Sequence, residues 1–247
     1  MRKRLIIILL TVAALTGQAQ IKIPWGEAYF SAEELPNAAV WLPAPPDTLS
    51  PHFAYDITQY MWGKSIRDTE RGNDAVDHDV VKPEDMAVYF SKPFGMTISR
   101  EATPAIYKLV ERSVITFRLS VVKPKKNYHR KRPFARFNEP TPLPQHEKRE
   151  FNSGSYPSGH AIRSFGLALV LSEINPERQD SLLKLGYEWG LSRVIVGYHW
   201  QSDVDASYLM AAGVFARLHT SPSFLADLLA ARDEFLRLSG KSDSQGN

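Results

Sequence analysis

The sequence predicts an all-α protein that forms one bundle-like helical domain. Several stretches repeat apolar residues with a period near 3.6, behind a capping residue and a first-turn proline. No stretch of useful length alternates apolar and polar residues as a half-buried strand does, and no internal repeat is visible. The composition agrees, because 247 residues with 43% hydrophobic and 23% charged side chains suit one globular domain with a sizeable core.

The N-terminus is typical of an export signal. Basic residues 2–4 precede an apolar run at 5–15, and the small residues Gly17 and Ala19 follow. The run is shorter than the roughly 20 apolar residues that span a bilayer. We therefore predict a signal peptide at 1–20 and a periplasmic protein, with an uncleaved N-terminal anchor as the less favoured alternative.

Charge and cysteine content exclude several classes of function. The whole chain has 30 Lys and Arg against 27 Asp and Glu, and the predicted signal holds three of the basic residues and no acid. The mature chain is therefore close to neutral, which argues against a nucleic-acid partner. The absence of cysteine excludes disulfides, thiolate chemistry and cysteine-based zinc sites. No second apolar stretch is long enough to be a membrane span.

Behind the signal, the chain divides into an irregular wrap, the helical domain and a tail. Residues 21–54 are rich in proline, alanine and tryptophan and show no sustained period. Residues 55–240 carry the helical signals, and the polar residues 241–247 form a flexible tail. Four helices are predicted from caps and apolar stripes, at 103–117, 175–194, 204–218 and 221–238, the last of them stopped by Gly240.

The first segment with candidate chemistry is the basic stretch from Lys125 to Phe134, which contains no acid. Runs of this kind are more often solvated faces, or surfaces that bind polyanions nonspecifically, than built sites. A role in phosphate recognition therefore requires a partner segment.

The second segment runs from Asn152 to His160 and continues into an apolar stretch at 165–171. Ser158 and Gly159 would therefore lie at a helix N-terminus, where free N–H groups and the positive dipole end bind anions. His160 would lie beside the bound anion. The alternative is that Ser158 is only an N-cap and His160 an ordinary histidine at a helix start.

The third segment, from Ser192 to Asp203, brings Arg193 close to His199. Asp203 follows His199 by four residues, and residues four apart on a helix share a face. The Asp203 carboxylate can then accept a hydrogen bond from one imidazole nitrogen and leave the other free to attack phosphorus. Asp205 would point elsewhere and is left out of the site.

In this order, the three segments resemble the signature of the PAP2 acid phosphatase and vanadium haloperoxidase superfamily. The chain is most similar to the class A bacterial nonspecific acid phosphatases, from roughly Tyr55 to Phe235. The resemblance is carried by Gly154-Ser-Tyr-Pro-Ser-Gly-His160, Glu173-Ile-Asn-Pro176, Gly197-Tyr-His-Trp-Gln-Ser-Asp-Val-Asp-Ala206, Leu218-His-Thr220, Thr69-Glu-Arg-Gly72 and Phe94-Gly-Met-Thr-Ile-Ser99.

The resemblance implies a fold of the PAP2 acid phosphatase type and hydrolysis of phosphate monoesters through a phosphohistidine. It implies that His199 is the nucleophile, that Asp203 orients it, and that His160 protonates the leaving alkoxide and then activates water. The phosphate oxygens would be held by Lys125, Arg132, Ser158, Gly159 and Arg193. The expected partners are small phosphomonoesters, with inorganic phosphate or vanadate as inhibitors, and the expected cofactor is none. The chain would span no membrane after signal removal, and a homo-oligomer is allowed.

Alternative functions use the same residues. A phosphotransferase shares the phosphohistidine, and a vanadate-dependent haloperoxidase would hold vanadate in the same pocket. A lipid phosphatase is disfavoured by the lack of membrane spans. A non-enzymatic anion-binding module would rest on the basic run at 123–136 alone.

Two positions depart from the family pattern. After His160 the family usually has small polar residues, whereas this chain has Ala161-Ile-Arg163. We interpret Arg163 as a solvent-facing helix residue in preference to a substrate contact. We interpret His129, where the family tends to carry an apolar residue, as an exposed loop histidine in preference to a contact on the leaving-group side.

Overall fold

The computed structural model describes residues 26–240, which contain twelve α-helices and no strand. This confirms the predicted all-α class and the single domain. The predicted signal peptide at 1–20 and the predicted tail at 241–247 lie outside the described residues. Between 26 and 240, each helix is too short or too polar to cross a membrane.

Prolines begin half of these helices, because a first-turn proline has the φ of a helix and no N–H to leave unpaired. The helices are α1 (Ala38–Trp41), α2 (Pro51–Ser65), α3 (Glu70–Asp77), α4 (Pro83–Phe94), α5 (Pro104–Ser120), α6 (Val122–Tyr128), α7 (Pro133–Phe137), α8 (Pro144–Glu150), α9 (Gly159–Ile174), α10 (Gln179–Ile195), α11 (Gln201–Leu218) and α12 (Pro222–Ser239), with a 3₁₀ turn at Pro176–Arg178.

The four helices predicted from caps and apolar stripes correspond to α5, α10, α11 and α12, and the helix start predicted at Ser158 and Gly159 is that of α9. The stretch predicted as one helix from 175 begins with the 3₁₀ turn, and α11 begins three residues earlier than predicted. Helices α2 to α4 and α6 to α8 were not predicted. From 26 to 50 the chain contains only α1, and α2 begins four residues before the predicted domain start at 55.

Helix α9 lies at the centre of the molecule and packs against α5, α10 and α11. Glycines permit the close packing, because a Cβ on Gly166 would lie 2.5 Å from ring atoms of Phe117 on α5. At the other end, the Ser158 N–H donates to the Asp203 carbonyl at 3.2 Å, which ties the start of α9 to α11. The first turn of α9 is thereby held against the start of α11.

A tight turn joins α10 to α11. Gly197 has a φ of +82°, and a Cβ there would lie 2.6 Å from the side-chain nitrogen Nη2 of Arg67, so the position requires glycine. The Gly197 carbonyl accepts the Phe134 N–H at 3.2 Å, which anchors α7 to the turn. This anchor places His199, two residues after Gly197, next to the segment that contains Arg132.

Candidate active site

The three predicted segments meet around one cavity of about 870 Å³. It lies where the ends of α5, α6, α8, α9 and α10 approach one another. The predicted site residues that line it are Lys125, Arg132, Gly159, His160, Arg193 and His199. Ser158 and Asp203 are fully buried and do not line it. The fold thus brings together residues up to 74 positions apart in sequence.

The basic segment places two cations in the cavity wall. Nη1 of the buried Arg132 lies 3.1 Å from Nε2 of His199, and its Nη2 pairs with Glu150 at 2.6 Å. Lys125 donates from Nζ to the Gly154 carbonyl at 2.8 Å. Part of the Lys125 side chain is open to the cavity, but its deep position, and secondarily the charge of Arg132, lowers its pKa to about 7.

His199 and Asp203 form the predicted pair, although not on one helix. His199 lies in the turn before α11, and its Nδ1 is 3.5 Å from Oδ2 of Asp203 in the first turn of that helix. The prediction that both residues share a helix face is therefore wrong. The contact arises because Oδ2 of Asp203 also accepts the Trp200 N–H at 2.9 Å, which caps α11 and holds the carboxylate toward the turn.

The charge states of this pair follow from burial and neighbouring charges. Burial, reinforced by the charge of Arg132, lowers the pKa of His199 to about 3, so the imidazole is neutral. Burial alone would raise the pKa of Asp203, but the charge of Arg130 and the contact with His199 outweigh it and lower the pKa to about 2. A neutral imidazole thus faces an ionised carboxylate.

Arg130 belongs to the site and was missed from sequence. Its Nη1 donates to Oδ1 of Asp203 at 2.5 Å, and its Nη2 pairs with Asp56 on α2 at 2.6 Å. Asp56 also accepts the N–H and the hydroxyl of Ser202 at 2.8 and 2.7 Å. The basic run contained the signal, since an arginine that is largely withdrawn from solvent requires carboxylates, but the run does not reveal which of its cations points inward.

At the start of α9, Ser158 is the N-cap and its Oγ accepts the Ala161 N–H at 3.4 Å. Gly159 and His160 face the cavity. Nε2 of His160 lies 3.8 Å from Oδ1 of Asp79. Burial, followed by the charges of Arg193 and Arg163, holds the pKa of His160 well below its usual value.

Asp79, in the connection between α3 and α4, is a second residue that sequence reasoning missed. Its carboxylate lies 2.7 Å from Nε2 of His146 and 3.0 Å from Nη1 of Arg193, in addition to its contact with His160. One carboxylate therefore joins three cavity-lining residues from α8, α9 and α10. Its only sequence signal is a carboxylate beside a histidine in a short connection between helices.

Several residues that line the cavity have a buried nitrogen that makes no hydrogen bond with a described residue. These nitrogens are Nε2 of His160, Nδ1 of His199, and Nε and Nη1 of Arg193. Nη1 of Arg193 and Nδ1 of His199 lie within ion-pair distance of Asp79 and Asp203, at 3.0 and 3.5 Å, but not in the geometry of a hydrogen bond. A buried polar group without a partner costs about 1–3 kcal/mol, so convergence of such groups at one cavity indicates a ligand-binding site. Cationic donors and a helix N-terminus suit a tetrahedral oxyanion.

The structure corrects the interpretation of Arg163. It is only 4% exposed and lines the cavity, and its guanidinium donates to the Gly159 and Val81 carbonyls, both at 2.8 Å. The side chain lies back toward the start of α9, as helical side chains do, and so covers the cavity wall. His129 is exposed, as predicted, and it also lines the cavity.

No group of three or more His, Cys, Asp or Glu residues between 26 and 240 is arranged to hold a metal ion. The ionisable groups that face the cavity are instead guanidinium, ammonium and imidazole groups together with Asp79 and Glu150.

Comparison with known proteins gives one family. The model of the PAP2 superfamily matches residues 111–225, a range that includes all the predicted site residues. The chain is 41% identical over 211 residues to a protein named non-specific acid phosphatase from Providencia stuartii, with 85% of each chain covered. It is 39% identical over 209 residues to a protein of the same name from Salmonella typhi, with 84% of each covered. An acid phosphatase from Zymomonas mobilis is 30% identical over 195 residues, which cover 79% of this chain and 74% of that protein.

Proposed function

This chain belongs to the PAP2 superfamily and, within it, to the bacterial non-specific acid phosphatases, and from that premise we propose its catalytic mechanism, its substrates and its location. It is a phosphoric monoester hydrolase. The proposal concerns the finer points: a phosphohistidine intermediate, catalysis without a metal ion, small phosphomonoesters as substrates, and action in the periplasm. The observation that supports it best is the neutral imidazole of His199 held between Asp203 and Arg132 at a cationic cavity.

In the first half-reaction, Nε2 of His199 attacks phosphorus and forms an N–P bond while the bond from phosphorus to the alcohol oxygen breaks. His160 gives its proton to the departing oxygen. The Asp203 carboxylate accepts a hydrogen bond from Nδ1–H, which stays on the ring; this fixes the tautomer and stabilises the imidazolium that forms. The 3.1 Å from Nε2 to Nη1 of Arg132 supports this assignment, since a phosphate oxygen held by Arg132 brings phosphorus to Nε2.

In the second half-reaction, His160 takes a proton from water as the water oxygen bonds to phosphorus. The N–P bond breaks, and inorganic phosphate leaves with His199 neutral again. The same imidazole thus donates and accepts one proton per cycle. In this scheme Asp79 at 3.8 Å favours the protonated state of His160 that the first step requires.

Phosphate oxygens are held, in this proposal, by Lys125, Arg132, Arg193 and the amide of Gly159. The orphaned nitrogens of Arg193 support this role, because a bound phosphate would supply their missing acceptors. Ser158 fixes the Gly159 amide by capping α9, and its direct contact with phosphate remains a prediction. Fixed cations can stabilise the negative charge of the transition state without a magnesium ion.

A bound phosphate dianion also explains how His160 and His199 can have different protonation states at the same pH. His160 has to be protonated while His199 is neutral, yet the pKa of each is lowered by burial. A dianion next to His160 opposes the charges of Arg193 and Arg163 and raises its pKa. His199 stays neutral because it lies deeper, against Arg132. An acidic working range is the expected result.

The test uses protein that lacks residues 1–20, assayed for phosphate release from glycerol 3-phosphate and 4-nitrophenyl phosphate with EDTA present. We expect turnover that EDTA leaves unchanged. An alkaline quench during turnover should trap a phosphoenzyme that is stable to base and labile to acid, as a phosphohistidine is, and His199→Ala should abolish it. Loss of activity in EDTA would refute metal independence, and a base-labile adduct would refute the histidine intermediate.

The periplasmic location is tested in cells that express the full chain. We expect phosphatase activity in the osmotic-shock fraction, with a mature N-terminus near residue 20. Activity that stays with the cytoplasmic marker enzymes would contradict export.

A further inference from the structure

Arg163 is a buried charge that has no carboxylate within ion-pair distance among residues 26–240. Three arginines are buried in the described part of the chain, and two of them have ion pairs, Arg132 with Glu150 at 2.6 Å and Arg193 with Asp79 at 3.0 Å. Arg163 has none with any described residue, and its Nε and Nη1 donate hydrogen bonds to two backbone carbonyls. A buried cation without an ion pair of its own is costly, because proteins almost always pair buried charges. The carboxylate of Asp79 favours the charged form of Arg163 from beyond ion-pair distance, but it already pairs with Arg193 and His146.

The charge persists at neutral pH. Burial, followed by repulsion from Arg118 and Arg193, lowers the pKa of Arg163 to about 9. The guanidinium is therefore still protonated in the acidic to neutral range and carries a positive charge into the cavity wall. Carbonyl oxygens satisfy two of its N–H groups but do not neutralise that charge.

Arg163 lies on the leaving-group side of the site. It follows His160 by one turn of α9, so the two side chains are neighbours on one helix face. Arg163 is among the charges that lower the pKa of His160, as expected of a close cation. The cavity is also lined by Arg118, Val121, Val122 and Lys126. Apart from the groups assigned to phosphate, its wall therefore contains further cationic and apolar side chains.

We propose that Arg163, together with Arg118, forms a subsite for a second anionic group, a phosphate or a carboxylate, carried by the leaving alcohol. The inference rests on the proposed function, because the place of the leaving group is set by the proton donor His160. It makes the favoured substrates bisphosphates and phosphorylated hydroxy acids, which carry an anion a few bonds from the scissile oxygen. Such a group supplies the missing counter-charge and forms charge-assisted hydrogen bonds.

A competing role for Arg163 is purely structural, since it ties the Val81 connection to the start of α9. The two roles differ in what they predict. A clamp affects all substrates equally, because it acts through the shape of the whole site. A subsite discriminates between substrates that differ only in the second anion.

The experiment compares kcat/KM within two matched substrate pairs. One pair is 3-phosphoglycerate against glycerol 3-phosphate, which differ in a carboxylate, and the other is fructose 1,6-bisphosphate against fructose 6-phosphate, which differ in a phosphate. The first pair reports a carboxylate subsite and the second a phosphate subsite. For the wild type we expect roughly 10-fold or greater preference for the member with the second anion in at least one pair.

Three variants separate the roles. Arg163→Gln should abolish the preference while kcat/KM for the reference member changes by less than about 3-fold, and Arg163→Lys should restore part of the preference, because it keeps the charge. Arg149→Gln is the matched control, since it removes the same charge from an exposed position on the rim of the same cavity. There, solvent screens the charge, and the preference should stay within about 2-fold of the wild type.

Three outcomes would contradict the subsite, and the measurements distinguish them from one another. Equal losses for both members of each pair in Arg163→Gln would assign the residue a clamp role only. Wild-type turnover of glycerol 3-phosphate with no preference in either pair would refute the subsite and leave the proposed function standing. No turnover of any of the four substrates would refute the proposed function, and the subsite with it.

Discussion

Two buried aspartates form arginine networks in different parts of the molecule, and the first of these networks is closed. Asp227 on α12 pairs through Oδ2 with Arg112 at 2.7 Å and accepts the Tyr29 hydroxyl at 2.9 Å, while its Oδ1 pairs with Lys108 at 2.9 Å. Donors meet both carboxylate oxygens, and the Arg112 guanidinium lies over the Tyr29 ring. Nε of Arg112 makes no hydrogen bond with a described residue, but none of these four side chains lines the cavity, so the network is closed to a ligand there. The cluster joins the N-terminal segment to α5 and α12.

The second network, at Asp203, is open. It runs from Asp56 through Arg130 to Asp203, and on through His199 to Arg132 in the cavity wall. Nδ1 of His199 makes no full hydrogen bond there, and further unsatisfied nitrogens lie across the cavity. Aspartate and arginine side chains therefore have two different roles in this molecule. A closed network holds segments together, and an open one orients groups toward a ligand.

The strongest test of this contrast is His199→Ala. We expect kcat to fall by at least about 10⁴-fold, because the variant lacks the nucleophile. The matched control is His219→Ala, which removes a histidine that is also paired with a carboxylate, Glu173 at 2.9 Å, but does not line the cavity. Steady-state kinetics and thermal melting of both variants give the result. Substantial activity in His199→Ala would remove the nucleophile from the proposal.

A smaller effect is expected for Asp203→Asn, which keeps the shape of the side chain and removes its charge. An amide cannot fix the imidazole tautomer in the same way, so we expect kcat to fall roughly 10³-fold to 10⁴-fold, less than for loss of the nucleophile. The variant should also lose stability, because Arg130 keeps only Asp56 as a carboxylate partner. Kinetics together with urea unfolding separate the two effects. An unchanged kcat would show that Asp203 is structural, like Asp227.

How far sequence can predict this fold differs from helix to helix. Helices α5 and α12 were predictable because a cap, a first-turn proline and an apolar stripe coincide there. Helix α3 was not, because only Gly72 and Ala75 are buried in a segment of mostly polar residues. Its place is fixed by packing against α10, which local sequence does not encode.

In the candidate site, too, residues in local motifs were predictable from sequence and residues contributed by distant segments were not. Arg132, His160, Arg193 and His199 were predictable because they lie in motifs of recognisable residue types and spacing. Asp79, Asp56 and Glu150 were not, since carboxylate partners come from distant segments and any of the 27 acidic residues would have served as candidates. Arg163 was wrongly interpreted because the start of α9 has no solvent face, and residues 161–164 are all buried.

A pH-dependent effect is expected for Asp79→Asn. The Asp79 carboxylate lies 3.8 Å from His160 and neutralises Arg193, so its removal disfavours the imidazolium twice over. The pKa of His160 in the substrate complex should fall, and because His160 has to be protonated, the alkaline limb of the kcat profile should move to lower pH by about one unit. The matched control, His146→Gln, leaves both charges in place. A limb that stays fixed or moves to higher pH would contradict the role of Asp79.

The smallest effect on activity belongs to Asp227→Asn in the closed network. We expect kcat/KM per folded molecule to stay within about 2-fold of the wild type, while the free energy of unfolding at pH 7 falls by about 1–3 kcal/mol. Burial opposes the ionised form of Asp227, but hydrogen bonds from Lys108, Arg112 and Tyr29 outweigh it and lower its pKa below the usual 3.8.

A carboxyl group with a lowered pKa in the folded state stabilises the protein above its unfolded pKa, and that stabilisation is lost as the pH falls through the folded value. The stability gap between wild type and Asp227→Asn should therefore be full above about pH 4 and narrow below it. Urea unfolding at pH 7, 5 and 3.5, with activity measured on the same samples, tests both halves of the prediction. A large loss of kcat/KM in this variant would break the contrast, because it would connect the closed network to the chemistry of the cavity.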